Sequence, residues 1–267
     1  MKKHIFALCI AVLITKMTFA LNLCDTNQEN CFSCGDECTV EFIPSTKTLH
    51  ISSNGVMNSY ATDGQAKNVP WYEVRESVKN ITFEGSINKF DTYTFCETNI
   101  QSVTIPDSVT VIGFGAFYKA YELKEVNIPD LVQKIGSYAF ADTSLKSIAI
   151  PDSVQSIGRG AFANTPLESI VISDQTKFID KEVLLNTSEN LKIYCTGNLK
   201  TCQKNVGDYA NKVIKATTKK INGVSYVYDS NDNLCTKFGH RINKRIYTID
   251  EANAVAGKVN SVKIRYR

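Results

Sequence analysis

Ile100-QSVTIPDSVTVIGFGAFYKAYE, Leu123-KEVNIPDLVQKIGSYAFADTS and Leu145-KSIAIPDSVQSIGRGAFANTP follow one another without a break and spell one motif three times. A weaker copy begins at Leu167 and a degenerate one at Val78, giving a period of about 22 residues through the middle of the chain. Self-similarity at that period marks a solenoid, because a unit this short cannot bury its apolar face alone and must stack on its neighbours. Chains built this way usually work as binding surfaces.

The aligned columns say how a unit folds. With the first residue of each unit counted as zero, positions 3 and 5 hold Ile81/Phe83, Val103/Ile105, Val126/Ile128, Ile148/Ile150 and Ile170/Ile172. Apolar residues, mostly β-branched, alternating with polar ones predict a short half-buried strand. Pro106, Pro129 and Pro151 follow and end each strand, since proline has no amide to donate. Position 12 is Phe90, Ile112, Ile135, Ile157 and Ile179, with Gly113, Gly136 and Gly158 next as turn residues. Position 17 places Phe95, Phe117, Phe140 and Phe162 in one column, which predicts a stack of rings inside the solenoid, carried by a short helical return. The expected fold is a β-rich solenoid: a parallel strand ladder with short helical returns, an N-terminal β-hairpin cap and a small C-terminal α+β or ββ segment.

These columns resemble the BspA-like subclass of leucine-rich repeats, whose unit reads roughly L-x-x-V-x-I-P-x-S-V-x-x-I-G-x-x-A-F. The resemblance covers about residues 78–190, with three near-complete copies. The copy at Leu167 departs from it at Ser173, Asp180 and Val183-Leu184, and the copy at Val78 lacks the Pro and Gly. Terminal units that face water on one side are expected to degenerate in this way. Residues 34–72 resemble the segment that precedes such repeats, with Cys34-Gly35, Thr48-Leu49-His50-Ile51-Ser52, Tyr60 and Pro70-Trp71-Tyr72. A hairpin with an aromatic plug would cap the first repeat.

The sequence divides into residues 1–20, 21–77, 78–198 and 199–267. The first has Lys2-Lys3, an apolar run from Ile5 to Ile14 broken at Lys16, and small residues around Ala20: a secretory signal peptide, too short to span a bilayer. The second is a cysteine-rich segment and cap, the third the solenoid, and the fourth a basic segment. Charge separates them further. Residues 21–198 carry 13 basic and 22 acidic residues, net −9, while residues 199–267 carry 14 and 5, net +9. The basic end is either a solvated tail or a means of attachment to an acidic partner or envelope polymer. Its last stretch, Lys244 to Arg267, resembles a terminal segment of secreted repeat proteins of gut-associated bacteria, and reads either as a sorting signal or as a small cap. An exported chain excludes nucleic acid as partner.

Apart from Cys9 in the signal, the cysteines are Cys24, Cys31, Cys34, Cys38, Cys96, Cys195, Cys202 and Cys235. An even number in an oxidising compartment reads as disulfides. Cys24, Cys31, Cys34 and Cys38 form an N-terminal group, Cys195 and Cys202 pair across a short loop, and Cys96 and Cys235 are bonded to each other or free. Four clustered thiolates would also suit zinc, and Cys31-Phe-Ser-Cys34 has redox spacing, but neither the second ligand pair nor the strand-to-helix context is present.

Catalytic chemistry has little to work with. Outside the signal the histidines are His50 and His240, each without a third group to orient it. Phosphate loops and H-E-x-x-H spacings are absent, and Asp107, Asp130 and Asp152 recur with the repeat as turn residues. No catalytic, cofactor or metal site is expected, and the chain is read as a non-enzyme. The expected binding face is the exposed side of the strands: Ser102, Thr104, Glu125, Asn127, Ser147, Ala149, Ser169 and Val171. It is small and polar, without the aromatic or arginine anchors of a tight interface. The resemblance implies a secreted or cell-surface protein that binds a protein or cell-surface macromolecule, with adhesion as its role. A structural envelope component or spacer without a specific ligand is the alternative.

Overall fold

The computed structural model describes residues 30–35, 38–54, 57, 69–178, 180–221, 224–229 and 234–238. The expected signal peptide, Cys24, Tyr60 and the terminal 239–267 stretch lie outside them. Three strands precede the repeats: β1 (Cys31–Gly35), β2 (Cys38–Ile43) and β3 (Thr48–Ser53), joined antiparallel. The units then contribute two strands each: β4 (Asn80–Gly85) and β5 (Lys89–Phe90), β6 (Ser102–Thr104) and β7 (Val111–Ile112), β8 (Glu125–Asn127) and β9 (Lys134–Ile135). They continue with β10 (Ser147–Ala149) and β11 (Ser156–Ile157), then β12 (Ser169–Ile172) and β13 (Lys177–Phe178).

Each unit is one coil of a three-sided stack, and backbone hydrogen bonds hand over from coil to coil on every side. On the first side β3 pairs parallel with β4, β6 with β8, and β10 with β12. Pro106, Pro129 and Pro151 close these strands, and each proline carbonyl accepts from the amide three residues on, at 3.0, 3.1 and 3.0 Å. On the second side the two-residue strands form a five-stranded parallel sheet in the order β13-β11-β9-β7-β5. Gly136 is required there: a Cβ on it would come within 2.6 Å of the Gly113 carbonyl carbon one coil below.

The third side is not helical, and here the sequence expectation is corrected. Residues at position 15 (Tyr93, Gly115, Tyr138, Gly160) and position 19 (Glu97, Lys119, Asp142, Asn164, Asn186) all have φ between 55 and 59°. Left-handed residues four apart interrupt any right-handed helix. Their amides reach the next coil instead: Tyr93, Phe95 and Glu97 donate to Phe114, Ala116 and Tyr118 at 2.7–2.9 Å, and the pattern repeats through Asn164 to Leu185. Buried threonines Thr98, Thr143 and Thr165 donate their hydroxyls to the carbonyls of Phe95, Phe140 and Phe162 at 2.8–2.9 Å.

Inside lies one continuous apolar core from the hairpin to the C-terminal strands. Phe95, Phe117, Phe140 and Phe162 are fully buried and stack at centroid distances of 5.3, 5.2 and 5.6 Å. Trp71 plugs the N-terminal end and donates from Nε1 to the Thr94 carbonyl at 3.0 Å. One column shifts by a residue: Phe178, not Ile179, pairs with Ile157 and is buried, while Ile179 lies outside the described residues. The turn before it runs from Ser173 to Thr176 without a proline and is one residue shorter.

The chain crosses residue 198 without leaving the stack. β14 (Lys192–Cys195) pairs parallel with β12, then helix α1 (Leu199–Val206) starts at Asn198, whose side chain accepts from the Thr201 amide. A 3₁₀ turn over Gly207–Lys212 leads to β15 (Val213–Ile221), parallel to β14, followed by antiparallel β16 (Val224–Asp229) and β17 (Leu234–Phe238). This meander bends back so that β17 lies beside β10 and β12. Val227 and Ala216 thereby meet Val171 and Tyr194 in a second, smaller core.

Cys34 is bonded to Cys38, Cys195 to Cys202, and Cys31 is disulfide-bonded as well. Cys96 is free and buried. The second bridge ties the end of β14 to α1, so the basic segment as far as β15 is stapled to the acidic solenoid.

Candidate interaction surfaces

The strand side presents the residues between the buried columns. Ser102 and Glu125 are exposed, and Thr104, Asn127, Ser147 and Ser169 are half-buried. Toward the N-terminal cap the row continues with His50, which exchanges a hydrogen bond with Thr82 Oγ1 at 2.9 Å and lies 3.4 Å from Glu84. Hydroxyl, imidazole and carboxylate thus line up, but the glutamate is 70% exposed and nothing fixes it as an orienting group needs to be fixed.

The other end of this face is closed, which corrects the expected binding surface. Val171 is 1% exposed, and Ala149 packs against the same small core. The cause is legible in the column itself. Position 4 reads Thr82, Thr104 and Asn127 where the face is open, then Ala149 and Val171 where the meander covers it. The free strand face is the N-terminal part, rich in small polar side chains and glutamates.

The return side carries what the strand face lacks. Phe114 lies edge-on to Tyr93 at 5.3 Å and 87°, and to Tyr138 at 5.7 Å and 68°. Tyr118 completes the group at 6.3 Å from Tyr93 and 6.5 Å from Tyr138. Phe114 is 39% exposed, and the three tyrosines are half-buried. Tyrosine and glycine alternate at position 15, and the reason is space. A Cβ on Gly115 would lie 2.6 Å from the Tyr93 ring, and one on Gly160 2.5 Å from the Tyr138 ring. Each tyrosine therefore lies across the glycine of the next coil. No sequence-level reading singled out this group, although the Tyr/Gly alternation is visible once the units are aligned.

Charges around the rings are paired. Arg75 sits 3.5 Å above the Tyr72 ring and donates to Glu97 at 2.9 Å. Burial works against its charge, but Glu97 and the neighbouring groups outweigh that and raise its pKa. Arg159 grips Glu182 through two hydrogen bonds at 2.9 and 3.0 Å, and Lys119 sits over Tyr118. Beneath them the Cys96 thiol is pushed up to about 12, chiefly by burial, which makes it inert as a nucleophile. Among the described residues no group of three or more His, Cys, Asp or Glu could hold a metal ion, and no helix is long and apolar enough to cross a membrane.

A family model described as "BspA type Leucine rich repeat region" matches in six copies over residues 71–192 and 111–228. The fold is similar to that of a leucine-rich repeat protein from Eubacterium ventriosum, at 22% identity and a TM-score of 0.52 over 75% of this chain and 48% of that one. The chain thus spans about half the length of that relative. A leucine rich repeat protein of T. pallidum (20% identity, TM-score 0.40, 60% of this chain and 69% of that one) also matches. So does a leucine rich cell surface protein of Faecalibacterium prausnitzii (20% identity, TM-score 0.27, 79% and 61%). No curated protein matches by sequence.

Proposed function

Since this chain belongs to the BspA-type leucine-rich-repeat family, we propose that it is an exported protein that binds a partner macromolecule at the cell surface, with adhesion as its role. The repeat makes it a binding scaffold, and the observation that supports export is the set of disulfides. Bonds such as Cys34–Cys38 and Cys195–Cys202 persist in oxidising compartments. The partner is a protein or an envelope polymer met outside the cell, and no cofactor takes part. The net +9 of residues 199–267 would add attachment to an anionic surface. A structural spacer is the second reading, favoured by the small polar side chains of the free strand face.

Pull-down of the chain against extracellular matrix and envelope components, together with fractionation of cells, tests the proposal. Retention of a defined extracellular partner supports it. Recovery in the cytoplasm, or a folded protein that retains none of those components, refutes it. Chains lacking residues 239–267 separate the two uses of basic charge. Salt-sensitive release with an unchanged melt supports surface attachment, because exposed charges are screened over about 8–10 Å at physiological ionic strength. A lowered melting temperature with unchanged retention refutes it and means that this stretch docks internally.

A further inference from the structure

The aromatic group on the return side has features that folding alone does not require. Tyr93 and Tyr138 hold φ of 58 and 56°, a region that glycine occupies without strain, as Gly115 and Gly160 do in the alternate coils. Edge-to-face packing at 87 and 68° leaves wedge-shaped notches between rings, where stacked rings would present a flat slab. None of the three tyrosine hydroxyls bonds to a described residue, so each is a donor turned to a ligand or to water. The surrounding ions neutralise one another in pairs, Arg75 with Glu97 and Arg159 with Glu182. That disfavours a strongly charged polymer as the occupant.

Spacing identifies the chemistry that fits. Tyr93 and Tyr138 stand two coils apart, and adjacent strands of a ladder are separated by about 4.8 Å, so equivalent notches recur at roughly 9.6 Å. A polyproline II helix rises about 3.1 Å per residue with three residues per turn, or roughly 9.3 Å per turn. Its carbonyls have no internal partners and accept hydrogen bonds from donors such as tyrosine hydroxyls. Its pyrrolidine rings fill notches between aromatic side chains, and little chain entropy is lost because the helix is already formed. We infer that Tyr93, Phe114, Tyr118 and Tyr138 form a docking site for a proline-rich polyproline II segment of an extracellular protein. This rests on the protein-binding reading above and moves its main anchor from the strand face to the return side.

Fluorescence anisotropy of a labelled decaproline peptide with the full, oxidised chain tests it, beside a Gly-Ser peptide of equal length and laminarihexaose as a neutral glycan competitor. Decaproline should bind saturably, and the Gly-Ser peptide should not. Phe114→Ala and Tyr138→Gly should each weaken binding by at least about tenfold, as loss of a central ring does. Tyr121→Ala, an exposed ring outside the group, should leave it unchanged. Melts of the variants confirm that they fold, and Tyr138→Gly installs the residue that this column already holds at Gly115 and Gly160. Absence of saturable binding, equal binding by both ring variants, or binding of laminarihexaose in place of decaproline overturns the inference. If decaproline fails while an extracellular partner is still retained in pull-down, this site falls and the protein-binding reading stands.

Discussion

Replacing Phe140 by alanine removes a ring held between two others, with Phe117 at 5.2 Å and 5° on one side and Phe162 at 5.6 Å and 2° on the other. The side chain is fully buried, and the coils above and below are fixed by backbone bonds, so the cavity cannot collapse. Phe→Ala in such a site costs about 3–5 kcal/mol, and aromatic pairs contribute roughly 0.5–1.5 kcal/mol each beyond their area. Phe140→Ala belongs at about 4–5 kcal/mol. Phe162 meets only Phe140 among rings, with Leu184 in the next coil of its column, so its truncation should cost about 1 kcal/mol less. Phe95 is an end residue too, yet it also meets Phe83 and Phe90, so lying at an end does not spare it. At roughly 2–4 °C per kcal/mol for a chain of this size, Phe140→Ala should melt roughly 8–20 °C lower. Thermal melts of the four single mutants, followed by circular dichroism, give the ranking. Losses below 2–3 °C throughout, or Phe162→Ala as the most damaging change, would refute the stacked core as the source of stability.

Leu131→Ser should stabilise by about 1 kcal/mol, because Ser108 and Ser153 at the same position donate to the previous coil's carbonyl at 2.7 Å whereas Leu131 is 57% exposed; an unchanged urea midpoint counts against it. Cys96 should resist iodoacetamide at pH 8 in the native protein and alkylate only on unfolding, as peptide mass mapping would read. A chelator should leave the melting temperature unchanged; metal release with unfolding would assign the N-terminal cysteines to zinc. Burial opposes the charge of Asp91, but Lys89 at 3.0 Å and the Thr92 amide at 2.7 Å prevail and lower its pKa. A depressed carboxylate contributes stability that is complete above its unfolded value near 3.9 and is lost as pH falls through the folded one. Asp91→Asn should therefore flatten the acid limb of the stability curve below about pH 4, and an identical limb would exclude this pair as a contributor.

The buried columns were readable in the sequence because they depend on one unit's own alternation. Val103 and Ile105 face inward, and Phe117 joins the ring stack, as the pattern requires. The return was misread because its geometry is imposed from outside the unit. Ala-Phe and its flanking residues favour a helical turn locally, but the carbonyls that receive their amides belong to the next coil. The cover over Val171 had a signal in the switch of position 4 from polar to apolar, which a column-by-column reading treated as noise in a surface row. Phe114 and the tyrosines escaped attention because anchors were sought on the strand side, where solenoids commonly bind.

The alternation of tyrosine and glycine bears on how a gene of this kind can lengthen. The coils hand over the same hydrogen bonds on every side, so copying a whole unit in frame would leave both ends of the protein undisturbed. Copying a single coil would not spare the return side, because it would set two tyrosines, or two glycines, one above the other. In the first case a Cβ would be forced to within about 2.6 Å of a ring; in the second a furrow would open between coils. Recombination that adds coils two at a time preserves the row and extends it, so that growth in length is also growth in the number of equivalent notches.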